Sequence, residues 1–95
     1  MSPDESAGSV EGISLHRAAR KHYRRDRLSD DAVLDAADHV LRRWPLDDED
    51  DPLRWLMLGV DRSGRVLELV ALVFDDGHIL LIHAMKARPQ YLEHL

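Results

Sequence analysis

The chain has no cysteine. That absence excludes disulfides, thiolate metal sites and a cysteine nucleophile, and it suits a reducing cytoplasm, where the protein is expected to reside. Aromatic residues are sparse: two Trp, two Tyr and one Phe. Glycine-rich phosphate loops, a Gly-x-Ser-x-Gly elbow and HExxH are all missing. His16 and His22 are six apart and His78 and His83 five apart. Those spacings place the first pair on different sides of a helix and the second on opposite faces of a strand, so neither suits zinc. No metal and no cofactor are expected. No apolar run approaches the ~20 residues of a membrane span. The opening MSPDESAGSVEGIS lacks the basic-then-apolar order of a secretory signal.

What is present reads as one domain. At 95 residues with 44% hydrophobic content, the chain can build a single modest core. Residues 1–12 hold almost no large apolar side chains and are expected to be disordered, with 13–95 as the folded unit. The net charge is -5, which argues against a polyanion partner until the distribution is considered. Asp4, Glu5 and Glu11 lie in the N-terminal stretch, and Asp47, Asp48, Glu49, Asp50 and Asp51 form one run. Outside those acids the balance is positive. Segment 17–27 carries Arg17, Arg20, Lys21, Arg24, Arg25 and Arg27 against Asp26 alone. Such a patch is what phosphate binding needs; as a plain solvated face, the same arginines would cover apolar surface with their stems.

The expected order of elements is ααβββ. Ser14 can cap a first helix to about Arg25, with Leu15, Ala18, Ala19, His22 and Tyr23 as a narrow apolar stripe. Ser29-Asp30-Asp31 opens a second helix, in which Val33, Ala36, Ala37, Val40, Leu41 and Trp44 share a face and Pro45 is the stop. The acidic run and Pro52 form a loop. Strands follow at Leu53 to Val60, Val66 to Phe74 and His78 to about Met85, joined by turns at Asp61–Arg65 and Asp75–Gly77. Connections so short require antiparallel pairing. The expected fold class is therefore α+β: two N-terminal helices packed on a three-stranded antiparallel meander, with a short C-terminal helix after Pro89. Trp44, Val40, Val33, Leu69, Leu72 and Leu81 are expected in or beside one core.

The last strand carries the chemistry. The apolar run Ile79–Ile82 delivers His83, Lys86 and Arg88 before Pro89 ends it, and Tyr91 follows. Metal-free RNA cleavage needs a base for the 2′-hydroxyl, cations for the charge on the phosphate and an acid for the leaving oxygen. His83 can serve as base or acid, since an imidazole can take up or release a proton under physiological conditions. Lys86 and Arg88, two apart, share a side if the strand continues and can hold one phosphate. Tyr91 can donate a proton or stack on a base. The plain alternative is a hydrogen-bonded strand histidine with cations that only edge the sheet.

The run Ile82-His83-Ala84-Met85-Lys86-Ala87-Arg88-Pro89-x-Tyr91 resembles the last strand of the BrnT-like and RelE-like toxins. The hairpin Gly59–Glu68 is similar to the strand pair before it, and Lys21-His22 with Ser29-Asp30-Asp31 resembles an upstream segment of such toxins. The resemblance implies the RelE/BrnT-like fold and a toxin of a bacterial type II toxin–antitoxin system. Its activity would be metal-independent endoribonuclease cleavage. His83, Lys86 and Arg88 would be catalytic, and Arg17, Lys21, Arg24, Arg62 and Tyr91 would position RNA. The implied partners are RNA and a cognate antitoxin, with DNA reached only through the antitoxin. A non-catalytic binding module that assembles with a partner protein is the alternative function.

Overall fold

The computed structural model describes residues 9–10, 12–46 and 52–95. The acidic run 47–51, expected as a loop, and most of the 1–12 segment, expected to be disordered, lie outside the described residues. The strands are β1 (Ser9–Val10), β2 (Ile13–Leu15), β3 (Val40–Pro45), β4 (Leu53–Val60), β5 (Val66–Val73) and β6 (Ile79–Lys86). The helices are α1 (Tyr23–Asp26), α2 (Asp30–Ala37) and α3 (Pro89–Leu92), with a 3-10 turn at Arg17–Arg20. The strands form one mixed sheet in the order β1-β2-β6-β5-β4-β3. β1 is only two residues long, so the other five carry its bulk. β2 runs parallel to β6, and the remaining pairs are antiparallel.

This architecture corrects the expected fold class. A three-stranded meander, β4-β5-β6, is present, but as part of a larger mixed sheet, and two long N-terminal helices do not exist. The second helix stops at Ala37, and residues 40–45 are a strand instead. The apolar positions 40, 41 and 44 fit a helical face, but they also fit an edge strand. Asp38 N–H closes the helix onto Leu34 and Asp35 carbonyls, and β-branched Val40 then pairs with Gly59. Pro45 needs no donor at a sheet edge. The first helix dissolves for a different reason. Ile13–Leu15 gain a strand partner in Ile79–Leu81, while six cations in eleven residues repel one another in a continuous helix. His16 then starts the 3-10 turn by accepting from Ala18 N–H at 3.0 Å.

Register divides the sheet into two faces. Val33, Leu34 and Ala36 of α2 pack on Met57, Leu67, Leu69, Ala71, Leu81 and Ala84, all on one face. Ser29 Oγ caps that helix through Ala32 N–H at 3.1 Å. Of the expected core, Val33, Leu69 and Leu81 are fully buried here, Val40 packs beside them, and Leu72 is half-buried. Trp44 goes to the other face, opposite Leu56, which in turn pairs with Val70 and so with His83. Leu56 and Leu58 are buried on this second face, where Trp44 meets Tyr91 of α3 edge to face at 6.5 Å.

The edges are managed. β3 is blunted by a bulge between Val40 and Arg42, by exposed Arg42 and Arg43, and by Pro45. Past Leu81, β2 no longer covers β6; α1 takes over there, and Asp26 Oδ2 accepts from Lys86 N–H at 3.0 Å. Among the described residues, no helix is long and apolar enough to cross a membrane.

Candidate functional site

Glu68 is the one charged residue in β5, and it is fully buried. It belongs to the second face, between Leu58 and Met85. A buried carboxylate persists only when its lone pairs are met. Here they are met almost entirely by Arg88. Its backbone N–H and Nε donate to Oε1, each at 3.0 Å, and Nη2 donates to Oε2 at 2.7 Å. Pro89 makes this possible: it stops the strand, Arg88 becomes the cap of α3, and the guanidinium folds back over the sheet. Burial raises the Glu68 carboxyl, but the Arg88 and His83 hydrogen bonds outweigh it, and the group titrates below its ordinary range.

His83 completes the set. Its Nε2 donates to Glu68 Oε2 at 3.1 Å. A carboxylate only accepts, so Nε2 carries the proton and Nδ1 is the free nitrogen. A bulge is what aims this side chain. Val70 pairs with His83 but Ala71 pairs with Leu81, leaving Ile82 as an extra residue. Strict alternation from Leu81 would have turned His83 toward α2. The expectation that His78 and His83 face opposite ways is corrected by the same bulge. His78 reaches Ser14 Oγ at 2.7 Å, and Ser14 pairs with Leu80 on the second face.

His22 lies against His83, with ring centroids 5.8 Å apart and planes at 77°. It precedes α1 without using its ring as a cap. Desolvation lowers its pKa most, helped by Arg25, His83 and Lys21. The helix that carries it is held in two ways. Asp26 receives Arg25 through two bonds, at 2.9 and 3.2 Å, as well as Lys86 N–H. Arg65 Nη1 donates to the carbonyls of Asp26 and Arg27, while its Nε meets buried Asp61. The Arg25 bonds, offset in part by desolvation and joined by Lys86 N–H, pull the Asp26 carboxyl down from 3.8 to about 2. Its contribution to stability is therefore complete above pH 3.8 and fades as pH falls toward 2. Asp26→Asn is expected to cost on the order of 1 kcal/mol near neutral pH after solvent screening. Urea melts at pH 7 and pH 3 check this, with the difference from wild type shrinking at the lower pH.

No protein-family profile, curated protein or solved structure matches the chain.

The structure brings together His83, Arg88 and Tyr91, whose ring lies 5.3 Å from the Arg88 guanidinium. It adds His22 and Glu68, which sequence reasoning did not place at the site. The signal for Glu68 was a lone acid in an apolar strand. For His22 it was only the Lys21-His22 pair. Lys86 is not brought in: it stands opposite Leu67, so it shares the α2 face and not that of His83. Arg17, Lys21 and Arg24 are exposed on the 3-10 turn and α1, and no ion pair engages their side chains among the described residues. Arg62 is remote, 87% exposed at the β4–β5 turn and 3.5 Å from Asp35.

Proposed function

We propose that this protein cleaves RNA without a metal, as the toxin of a type II toxin–antitoxin pair. The observation that carries the reading is the His22–His83 pair, two imidazoles in contact at the edge of a cationic surface. His22, lowered by desolvation and its cationic neighbours, is the base that takes the 2′-hydroxyl proton. His83 acts as the imidazolium: held by Glu68 through Nε2–H, it gives its second proton, on Nδ1, to the leaving 5′-oxygen and is left as the neutral Nε2–H form. Arg25 and the exposed flank of Arg88 stabilise the charge on the phosphate. The resemblance of the last strand supports an antitoxin as inhibitor, covering the sheet beside Arg88; Lys86 stands on the other face, opposite Leu67, and takes no part.

The test is cleavage of a fluorescent RNA by the purified chain. His22→Ala and His83→Ala are each expected to lower the rate about 10²–10⁴-fold. The wild-type rate should climb as His22 loses its proton, at a pH below the ordinary 6.5, and that limb should vanish in His22→Ala. Full activity in a folded double variant would remove the proposal.

One observation favours a second reading, a binding module without catalysis. Arg88 is committed to Glu68, and Lys86 lies on the other face, so no pair of free cations converges on His83. Absence of both cleavage and growth arrest, with a stable complex formed by a neighbouring gene product, selects it.

A further inference from the structure

Helix α1 is a single turn, too short to hold itself together in water. None of its four residues is fully buried, and Tyr23 is the one that packs against the core. Yet this turn carries His22 to His83. Polar contacts supply what burial does not, and they meet at Asp26. Its N–H donates to the His22 carbonyl at 3.0 Å, closing the turn from which that ring projects. Its carboxylate accepts from Lys86 N–H, in the same strand as His83. Its carbonyl accepts from Arg65 Nη1 at 3.0 Å.

Arg65 comes from the β4–β5 turn, and its reach is preset. Asp61 is buried there, and its Oδ1 accepts from Ser63 N–H, Ser63 Oγ and Arg65 N–H at 3.0, 2.7 and 2.9 Å, which fixes the carboxylate. Its Oδ2 then takes Arg65 Nε at 2.9 Å. With that edge of the guanidinium held, Nη1 faces the carbonyls of Asp26 and Arg27, at 3.0 and 3.1 Å. A helix end leaves such carbonyls without partners, and Arg27, at φ 56°, ends α1 at this point. The guanidinium bonds Asp61 and these two carbonyls and neither histidine, so what it does to His22 passes through α1.

We infer that Arg65 is a positioning residue of the cleavage reaction, reaching from the β4–β5 turn to hold the turn of α1 that sets His22 against His83. This rests on the reading of His22 and His83 as base and acid. The two serve one phosphate only at a fixed separation, and a displacement of about 1 Å can cost on the order of a hundredfold in rate. The charged groups that face His22 are Lys21, Arg25 and Asp26 from its own segment and His83 from β6. If α1 lifts from β6, the ring returns to water and leaves His83 behind, so its pKa rises toward 6.5.

The probe is Arg65→Lys in the whole chain, since a lysine keeps a cation beside Asp61 but lacks the fork that spans both ends. Two readouts need no RNA. The NMR titration midpoint of the His22 imidazole should move up toward 6.5, and the nuclear Overhauser effect between the His22 and His83 rings should weaken. Asp61→Asn/Arg65→Met, which removes the buried charge together with its partner, should give the same two changes. Ser63→Ala is the control: it takes one donor from Asp61 without touching α1 and should leave both readouts in place. Circular dichroism checks that each variant is folded. With RNA as substrate, Arg65→Lys should lower kcat roughly 10- to 100-fold at unchanged KM. In a His22→Ala background it should lower the residual rate no further, because the two residues act as one unit. A His22 midpoint unmoved in both folded Arg65 variants, an equal shift in Ser63→Ala, or a rate loss that persists in full without His22 would overturn the inference. The expected changes at His22 in a protein that leaves RNA uncut would remove the catalytic reading alone and leave the positioning of His22 standing.

Discussion

Arg88→Ala is expected to cost roughly 3–5 kcal/mol of folding stability, because it strands a buried charge. Glu68 is fully enclosed, and without the Arg88 side chain it loses the two guanidinium bonds and their positive charge, keeping only the backbone N–H of residue 88 and His83. The reverse deletion is milder. In Glu68→Ala the guanidinium, whose side chain is already 46% exposed, swings into water, so the loss should be nearer ~1–3 kcal/mol. The two variants also differ in how stability follows pH. In the wild type, Glu68 titrates below its ordinary 4.5; its contribution is complete above that value and is lost as pH falls through the native one. In Arg88→Ala burial is opposed only by the backbone N–H of residue 88 and by His83, so the carboxyl is expected to rise from its wild-type position and the loss of stability on acidification below 4.5 to shrink. Chemical denaturation of both variants from pH 3 to 8 checks the ordering and this flattening. An Arg88→Ala protein as stable as Glu68→Ala at pH 7 would show that the pair does not hold the sheet and α3 together.

Gly59→Ala is the second large effect, at roughly 3 kcal/mol or more. Gly59 sits in β4 where α2 ends. A Cβ there would fall inside the Ala36 carbonyl oxygen and 2.8 Å from its carbon. Both atoms are backbone, so no rotamer change relieves the overlap. The helix end cannot simply withdraw, since His39 carbonyl accepts from Val60 N–H at 3.1 Å and ties the next residues to the strand. Ala36→Gly should therefore give no rescue when combined with Gly59→Ala. Thermal melts of the single and double variants decide it; recovery in the double variant would mean that side-chain crowding, not the carbonyl, is the obstacle.

Parts of this fold were legible because local chemistry decides them. Gly64 and Gly77 take φ of 89° and 90°, as their turns require, and β4, β5 and β6 follow as an antiparallel run. Asp61 read as a turn former; its carboxylate accepts from Ser63 N and Oγ and from Arg65 N and Nε, and so also positions the arginine that anchors α1. Residues 40–45 were illegible because their spacing satisfies two periods, and the choice rests on an open edge of β4, a tertiary fact. The site was half legible. His83, Arg88 and Tyr91 announce themselves in sequence. Glu68 hides because an acid inside a strand is normally read as facing water. His22 and His83 are 61 residues apart, and nothing local records that α1 folds over the end of β6.

The unpaired Ile82 makes the site a matter of odd and even counting. Alternation along a strand has only two settings, and one extra residue selects between them for everything downstream. Substitutions at Ile79 to Ile82 alter volume or polarity but leave that setting alone. Keeping all four residues but ironing out the bulge would leave the His-Ala-Met-Lys string intact and reverse its orientation, turning His83 toward α2 and Lys86 toward Glu68, whereas removing the extra residue restores plain alternation with His83 still opposite Val70. Two chains with the same closing motif can thus present opposite surfaces, depending on whether the residue count between the Asp75–Gly77 turn and His83 is absorbed by a bulge.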